Sequence, residues 1–232
     1  MLARPHHDVF VTGTDTEIGK TLVSAALLYA MQQQGWRSVG MKPVAAGAEW
    51  QDGAWHNEDV DALIANSNVD AAEELVCPYL MQTPAAPHIV AGLEKITISL
   101  PHIHQCYQQL HQLSDAVVVE GVGGFCVPLN DQHTTADLAQ NLNLPVIMVV
   151  GMRLGCINHA LLTVEAIAAR GLNLLAWVAN TADPAMLYLD ENVAALRARI
   201  DAPLLGQIPR LNVPEDQKAR SAASYLDLSL LK

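Results

Sequence analysis

The chain has 232 residues, of which 51% are hydrophobic and 16% charged, and its formal net charge is -11 at pH 7. That length and apolar content suit one α/β domain able to bury roughly 70–75% of its unfolded surface, and they exclude a disordered chain. The acidic balance excludes a general nucleic-acid binder, which needs clustered Lys and Arg to meet phosphates.

Cys77, Cys106, Cys126 and Cys156 form no C-x-x-C pair, so neither a zinc site nor a redox motif is expected. A reduced, cytoplasmic setting is the simplest expectation. "MLARPHHD" leads into a strand with no apolar signal-peptide core. The apolar run around "LPVIMVVGM" is far shorter than the roughly 20 residues that cross a bilayer, so no membrane partner is expected.

Short apolar runs alternate with helical patterns. The expected strands are 8–12 ("DVFVT"), 38–42, 115–120 ("DAVVVE"), 145–151, 174–180 and 203–208. Several are almost wholly apolar, as strands covered on both faces should be. The expected helices are 20–34, 59–66, 84–93, 101–114, 135–142, 157–170 and 185–200. The stretch 45–57 reads as a long loop. This alternation predicts a mainly parallel sheet covered by helices, whose ligands gather at the carboxyl ends of the strands.

After the first strand comes "GTDTEIGKT", Gly13 to Thr21. It has the strand-to-helix context of a phosphate loop, with backbone N–H groups and the helix N-terminus facing phosphates. Lys20 would reach the β/γ oxygens and Thr21 would offer a hydroxyl to Mg²⁺. Five residues separate Gly13 from Gly19, one more than the usual pattern, and two of them, Asp15 and Glu17, are acids. Lys42-Pro43 closes the second strand; the proline holds Lys42 extended, with a defined exit for its side chain, which reads as a snorkelling strand-end lysine or as one that stabilises a transferring phosphoryl group.

Asp59 and Asp61 stand at a helix start, where they serve the helix dipole or one of them serves Mg²⁺. Glu120 ends "AVVVE" before Gly121, Gly123 and Gly124; alone it would read as a solvated strand-end acid before a Gly-rich turn, and paired with the phosphate loop it reads as a carboxylate for Mg²⁺, held directly or through water. "GMRLGCINHA" joins strand to helix at 151–160 and reads as a plain helix start or as a carboxylate-binding N-terminus. Asn180 reads as a turn former before "TADP" or as a reader of adenine. His102, His104 and His111 lack zinc spacing and read as a solvated helix face.

"TGTDTEIGKT", "KPVAAG", "NEDVDAL", "VEGVGG", "LPVIMVVG", "GCINHA" and "WVAN", taken together and in this order over about residues 8 to 211, resemble the dethiobiotin synthetase family. The resemblance implies a P-loop NTPase-like, three-layer α/β fold with a mainly parallel sheet of about seven strands, one domain over 1–232. It implies a homodimer acting on 7,8-diaminononanoate, CO2 or bicarbonate, and ATP with Mg²⁺. Gly13, Thr14, Asp15, Thr16, Glu17, Ile18, Gly19, Lys20 and Thr21 would wrap the ATP phosphates. Asn180 and Pro209 would hold adenine. Lys20, Lys42 and Thr16 would act on the transferring phosphate, and Thr21, Asp59 and Glu120 would hold Mg²⁺. Thr16, Lys42, Ala46 and Gly123 would line the substrate site, with Gly155, Cys156, Ile157 and Asn158 of a partner subunit receiving the substrate carboxylate.

This chain carries Ala46 where many members have Ser, which removes one hydrogen bond, on the order of 1 kcal/mol. A family tyrosine falls on Asn192, with Tyr188 one turn earlier. A partitioning ATPase would carry a second, earlier loop lysine, and none precedes Lys20 in this loop. An amidotransferase-type ligase would need a glutaminase domain that 232 residues do not accommodate.

Overall fold

A computed structural model describes residues 6–231. Met1–Pro5, which open the stretch read above as leading into the first strand, lie outside the described residues. In chain order the elements are β1 (Val9–Gly13), α1 (Lys20–Gln33), β2 (Ser38–Met41), β3 (Val44–Ala46), β4 (Glu49–Gln51), β5 (Ala54–His56), α2 (Glu58–Ala65), α3 (Glu73–Val76), β6 (Tyr79–Met81) and α4 (Pro87–Glu94). There follow α5 (Leu100–Leu113), β7 (Ala116–Glu120), α6 (Thr135–Leu142), β8 (Val146–Gly151), α7 (Cys156–Ala169), β9 (Leu174–Asn180), α8 (Leu189–Arg197), β10 (Leu204–Ile208) and α9 (Glu215–Ala223).

The main sheet is parallel throughout, in the order β10-β9-β8-β1-β7-β2. Alternation along each strand divides the core. Phe10, Val117, Val119, Met148 and Val150 pack to one side. Val9, Val11, Ala116, Val118, Ile147 and Val149 pack to the other. Each large apolar side chain buried this way contributes roughly 1.5–3 kcal/mol. The second side is covered by α1, which buries Val23, Ala26, Leu27, Leu28 and Met31. Gly35 then turns left-handed at φ 80, and its N–H reaches Gln32 O, so α1 stops there. The result is the expected three-layer architecture.

The strand count corrects the expectation of about seven: among the described residues the main sheet has six. After Met41 the chain leaves β7. Lys42 N–H turns to Val76 O, Pro43 has no N–H to give, and the continuation β3 pairs instead with β6 as a separate parallel patch. The stretch 45–57 is not a plain loop but contains the β4–β5 hairpin, with Asp52 and Gly53 both at positive φ as a tight two-residue turn requires. The expected helix 185–200 begins only at Leu189, behind a left-handed Tyr188. The expected helix 84–93 begins at Pro87, leaving 84–86 as irregular chain.

The three histidines of α5 are not one solvated face. His102 is exposed, but His111 Nδ1 lies 2.6 Å from Asp8 Oδ2. Buried Asp8 also accepts from Tyr107 Oη at 2.7 Å and Val117 N at 2.8 Å, tying α5 to the feet of β1 and β7. His6 stacks on His111 with centroids 3.6 Å apart and planes 24° apart. His6 Nδ1 lies 4.0 Å from Asp8 Oδ1, so His6, Asp8 and His111 gather at the foot of β1, with the hydrogen bond running between His111 and Asp8.

Candidate active site

The phosphate loop accommodates its extra residue by two left-handed positions, Glu17 at φ 56 and Gly19 at φ 84. It folds back tightly: a Cβ on Gly13 would lie 2.8 Å from Ile18 Cδ1. Two strand ends brace it from behind. Gly151 of β8 leaves room for Ile18, since a Cβ there would sit 2.3 Å from Ile18 Cγ2. Asn180 of β9 donates its Nδ2 to Ile18 O at 2.8 Å and packs against Gly19. The Asp15 carboxylate accepts from Thr16 N at 2.8 Å and pairs with Arg153, beyond β8. The Thr16 N–H first, and then Arg153, hold the Asp15 carboxyl below the usual range. Asp15 is therefore a strap from the loop to the segment that opens α7.

Four side chains converge at the loop's far end. Thr21 Oγ1 lies 2.5 Å from Asp59 Oδ1 and 2.9 Å from Glu120 Oε1, its single proton serving one at a time. Lys42 Nζ donates to Asp59 Oδ2 and Glu120 Oε1, each at 2.6 Å, and to Gly121 O at 3.4 Å. Asp59 is placed by the Asn57 cap, whose side chain accepts from Asp59 N and Val60 N while its Nδ2 donates to Ala46 O. Asp61, two residues on, points elsewhere and meets His56 at 3.2 Å.

Lys42 is 2% exposed and Glu120 0%. Burial pulls the Lys42 pKa down, but the Glu120 and Asp59 charges outweigh it and leave it raised. For Asp59 burial pushes up, and Lys42 outweighs it, leaving the carboxyl lowered. Lys20 has no such carboxylate contact; its Nζ donates to Asp15 O at 3.0 Å. Burial and the neighbouring Lys42 charge lower its pKa to about 8. Glu120 Oε2 is buried without a partner. That free oxygen, beside a second carboxylate and a hydroxyl, is a hard-oxygen donor set that fits Mg²⁺.

Two clefts meet at Thr21 and Asp59. The first, of about 780 Å³, is lined by Thr16–Thr21, Lys42, Ala46, Asp59, Pro84–Pro87, Glu120 and Gly123. The second, of about 540 Å³, is lined by Asn180, Thr181, Pro209, Arg210 and Leu211 along with Thr21 and Asp59. Gly13 and Thr14 form the base of the loop, behind these walls. Gly155, Cys156, Ile157 and Asn158 line neither cleft. They open α7, whose N-terminus has no side-chain cap and stands beside Leu154, 96% exposed. Asn192 donates to Tyr188 O within its own helix start, and Tyr188 is exposed. Sequence reasoning missed Arg153, Thr181, Asn57 and the 84–86 wall. Arg153 and Thr181 follow predicted strand ends, the one signal that marks them; the other two carry none beyond local cap and proline patterns.

Residues 7–218 match a family model described as AAA domain. The chain is 57% identical over 226 residues, 96% of its length and 94% of the relative's, to the ATP-dependent dethiobiotin synthetase BioD of Janthinobacterium sp. (strain Marseille). It is 59% identical over 202 residues, 87% and 90%, to the protein of the same name from Aromatoleum aromaticum. Among solved structures it is similar to a ParA family ATPase from Chlorobium tepidum, with TM-score 0.57 at 12% identity over 96% of this chain and 91% of that one. It is also similar to the Aquifex aeolicus cell division protein MinD, with TM-score 0.52 at 12% identity over 93% and 87%. At such identities these two likenesses speak for the P-loop NTPase-like fold alone. The high identity over nearly full length decides the rest: the chain belongs to the ATP-dependent dethiobiotin synthetase family.

Proposed function

We propose that the chain, working as one domain over residues 1–232, closes the ureido ring of dethiobiotin from 7,8-diaminononanoate, CO2 and ATP. The observation that carries this reading is the Thr21–Lys42–Asp59–Glu120 cluster at the junction of a phosphate loop with two clefts. The smaller cleft takes the adenosine, beside Asn180 and Pro209, and the larger takes the diamine. Thr21, Asp59 and Glu120 hold Mg²⁺, which when bound offsets phosphate charge.

One amine of the diamine attacks CO2, forming a C–N bond and releasing a proton, and leaves a carbamate. A carbamate oxygen attacks the γ-phosphorus, and the bond to the β–γ bridging oxygen breaks as ADP departs. The second amine attacks the carbamoyl carbon and loses a proton, and phosphate leaves with the C–O bond electrons and takes that proton up. Lys20 and Lys42 flank the phosphoryl group and stabilise charge on its oxygens; removing one such group raises a barrier by about 3–4 kcal/mol. Thr16 and Gly123 border the reacting end, and Ala46 leaves that wall without a hydroxyl.

The reading extends to a cytoplasmic homodimer. Leu154 and Leu162 on and before α7, with Leu187 and Tyr188 before α8, are exposed apolar groups that a second copy would cover. Residues 155–158 of each copy would then meet the carboxylate of the substrate in the other. The test is ADP release in reactions lacking diamine, bicarbonate or Mg²⁺ in turn. Each omission is expected to abolish turnover, and equal ATP consumption without diamine refutes the ligase reading.

A further inference from the structure

We infer that Lys42 is a displaceable counter-ion: in the nucleotide-free chain its ammonium occupies the carboxylate pair that a divalent cation would take, so cation binding and release of Lys42 are one coupled event. The inference rests on the proposed metal role of Thr21, Asp59 and Glu120.

An ammonium has three N–H donors. All three of Lys42 are used, on Asp59 Oδ2, Glu120 Oε1 and Gly121 O, so none is left for a phosphate in this state. The same two carboxylates, with Thr21 Oγ1 against Asp59 Oδ1 and Glu120 Oε1, are the groups a hard cation would use, and Glu120 Oε2 is the oxygen of Glu120 that Lys42 leaves open. The site is fully enclosed on the Glu120 side. A divalent ion and an ammonium on the same two carboxylates would be like charges a few ångströms apart where water cannot screen them. The two occupancies exclude each other.

The ammonium also neutralises the carboxylate pair. Without it, a fully buried Glu120 and its neighbour Asp59 would be like charges with no cation, which favours protonation and collapse of the pair. Lys42 cannot travel far. Its N–H is fixed to Val76 O and Pro43 follows it, so only the side chain swings, into the larger cleft that it already lines. There the phosphates of a nucleotide offer replacement acceptors. Exclusion in one direction implies exclusion in the other by linkage. The nucleotide-free chain therefore binds divalent cations weakly, and nucleotide, by drawing Lys42 away, opens the site.

The experiment is a Mn²⁺ titration followed by the EPR signal of free ion, on wild type, Lys42→Met and Lys42→Arg, with and without ADP. Without nucleotide, Lys42→Met is expected to bind Mn²⁺ about tenfold or more tightly than wild type, within the 5–150-fold range of such couplings. Lys42→Arg keeps the charge and should stay weak. ADP should narrow the gap between wild type and Lys42→Met. Near-UV circular dichroism checks the fold, and Lys42→Gln replaces Lys42→Met if the latter misfolds. Unchanged or weaker nucleotide-free binding in the neutral variants overturns the inference while leaving the metal assignment standing. If Asp59→Asn leaves Mn²⁺ binding with ADP unaltered, the metal assignment itself falls, and the inference with it.

Discussion

Replacing Lys20 by Met should stabilise the free protein while abolishing its work. Lys20 is 6% exposed and donates to one backbone carbonyl, Asp15 O. Burial, with the adjacent Lys42 charge, takes its pKa from 10.5 to about 8. At 1.36 kcal/mol per pH unit that fall represents about 3 kcal/mol of stability lost at pH 7 by keeping the ammonium charged in the fold. Methionine keeps most of the aliphatic stem and removes the charge; the lost hydrogen bond returns about 1 kcal/mol, leaving a net gain of about 2 kcal/mol.

The pH dependence gives a second readout. Between about pH 8 and 10.5 the unfolded lysine is protonated and the folded one is not, so the unfolded chain binds more protons and wild-type stability from this group rises with pH. The variant's advantage should be full below pH 8 and mostly gone near about pH 10. Urea unfolding of both proteins, free of nucleotide and metal, at neutral and alkaline pH measures it. A variant less stable at pH 7, or an advantage that ignores pH, refutes the reasoning. ATP turnover should meanwhile vanish.

Glu17→Gly removes a side chain from a left-handed position and should add about 1 kcal/mol in thermal unfolding. Steady-state kinetics should show a raised diamine KM with the ATP KM little changed, because the lost carboxylate faces the cleft assigned to the cationic substrate. Gly151→Ala places a Cβ 2.3 Å from Ile18 Cγ2, so it should cost about 1–3 kcal/mol and raise the ATP KM by shifting the loop. Wild-type stability and KM in that variant would show that β8 does not brace the loop.

The parts of the site that were legible in the sequence sit where a strand end and a chemically apt residue type coincide: the loop after β1, Lys42 after β2 and Glu120 at the end of β7. Asp59 and Asp61 could not be separated by residue type. Helical geometry separates them, since two positions turn a side chain by about 200°, which sends Asp59 to Thr21 and Asp61 to His56. The hairpin within 45–57 was readable, because Asp-Gly between Trp50 and Trp55 is a turn signal. The purpose of Asp15 was not, because Arg153 lies 138 positions away and no local pattern announces such a pair. The sheet's sixth and last member was set by Pro43, a residue read in the sequence only for its effect on Lys42.

The position of β1 has a consequence for synthesis. Val9 pairs with Val118, and Phe10 with Val146, so the strand that carries the phosphate loop is made long before either neighbour exists. At about 5–20 residues per second a growing chain waits several seconds, at least, for the first partner. Through that interval Val23, Leu27, Leu28 and Met31 have no sheet to cover, and they offer apolar surface to holding chaperones. Nucleotide binding should accordingly arise as a late step in ribosome-bound chains of increasing length, after β9 and its Asn180 have emerged to close the back of the loop.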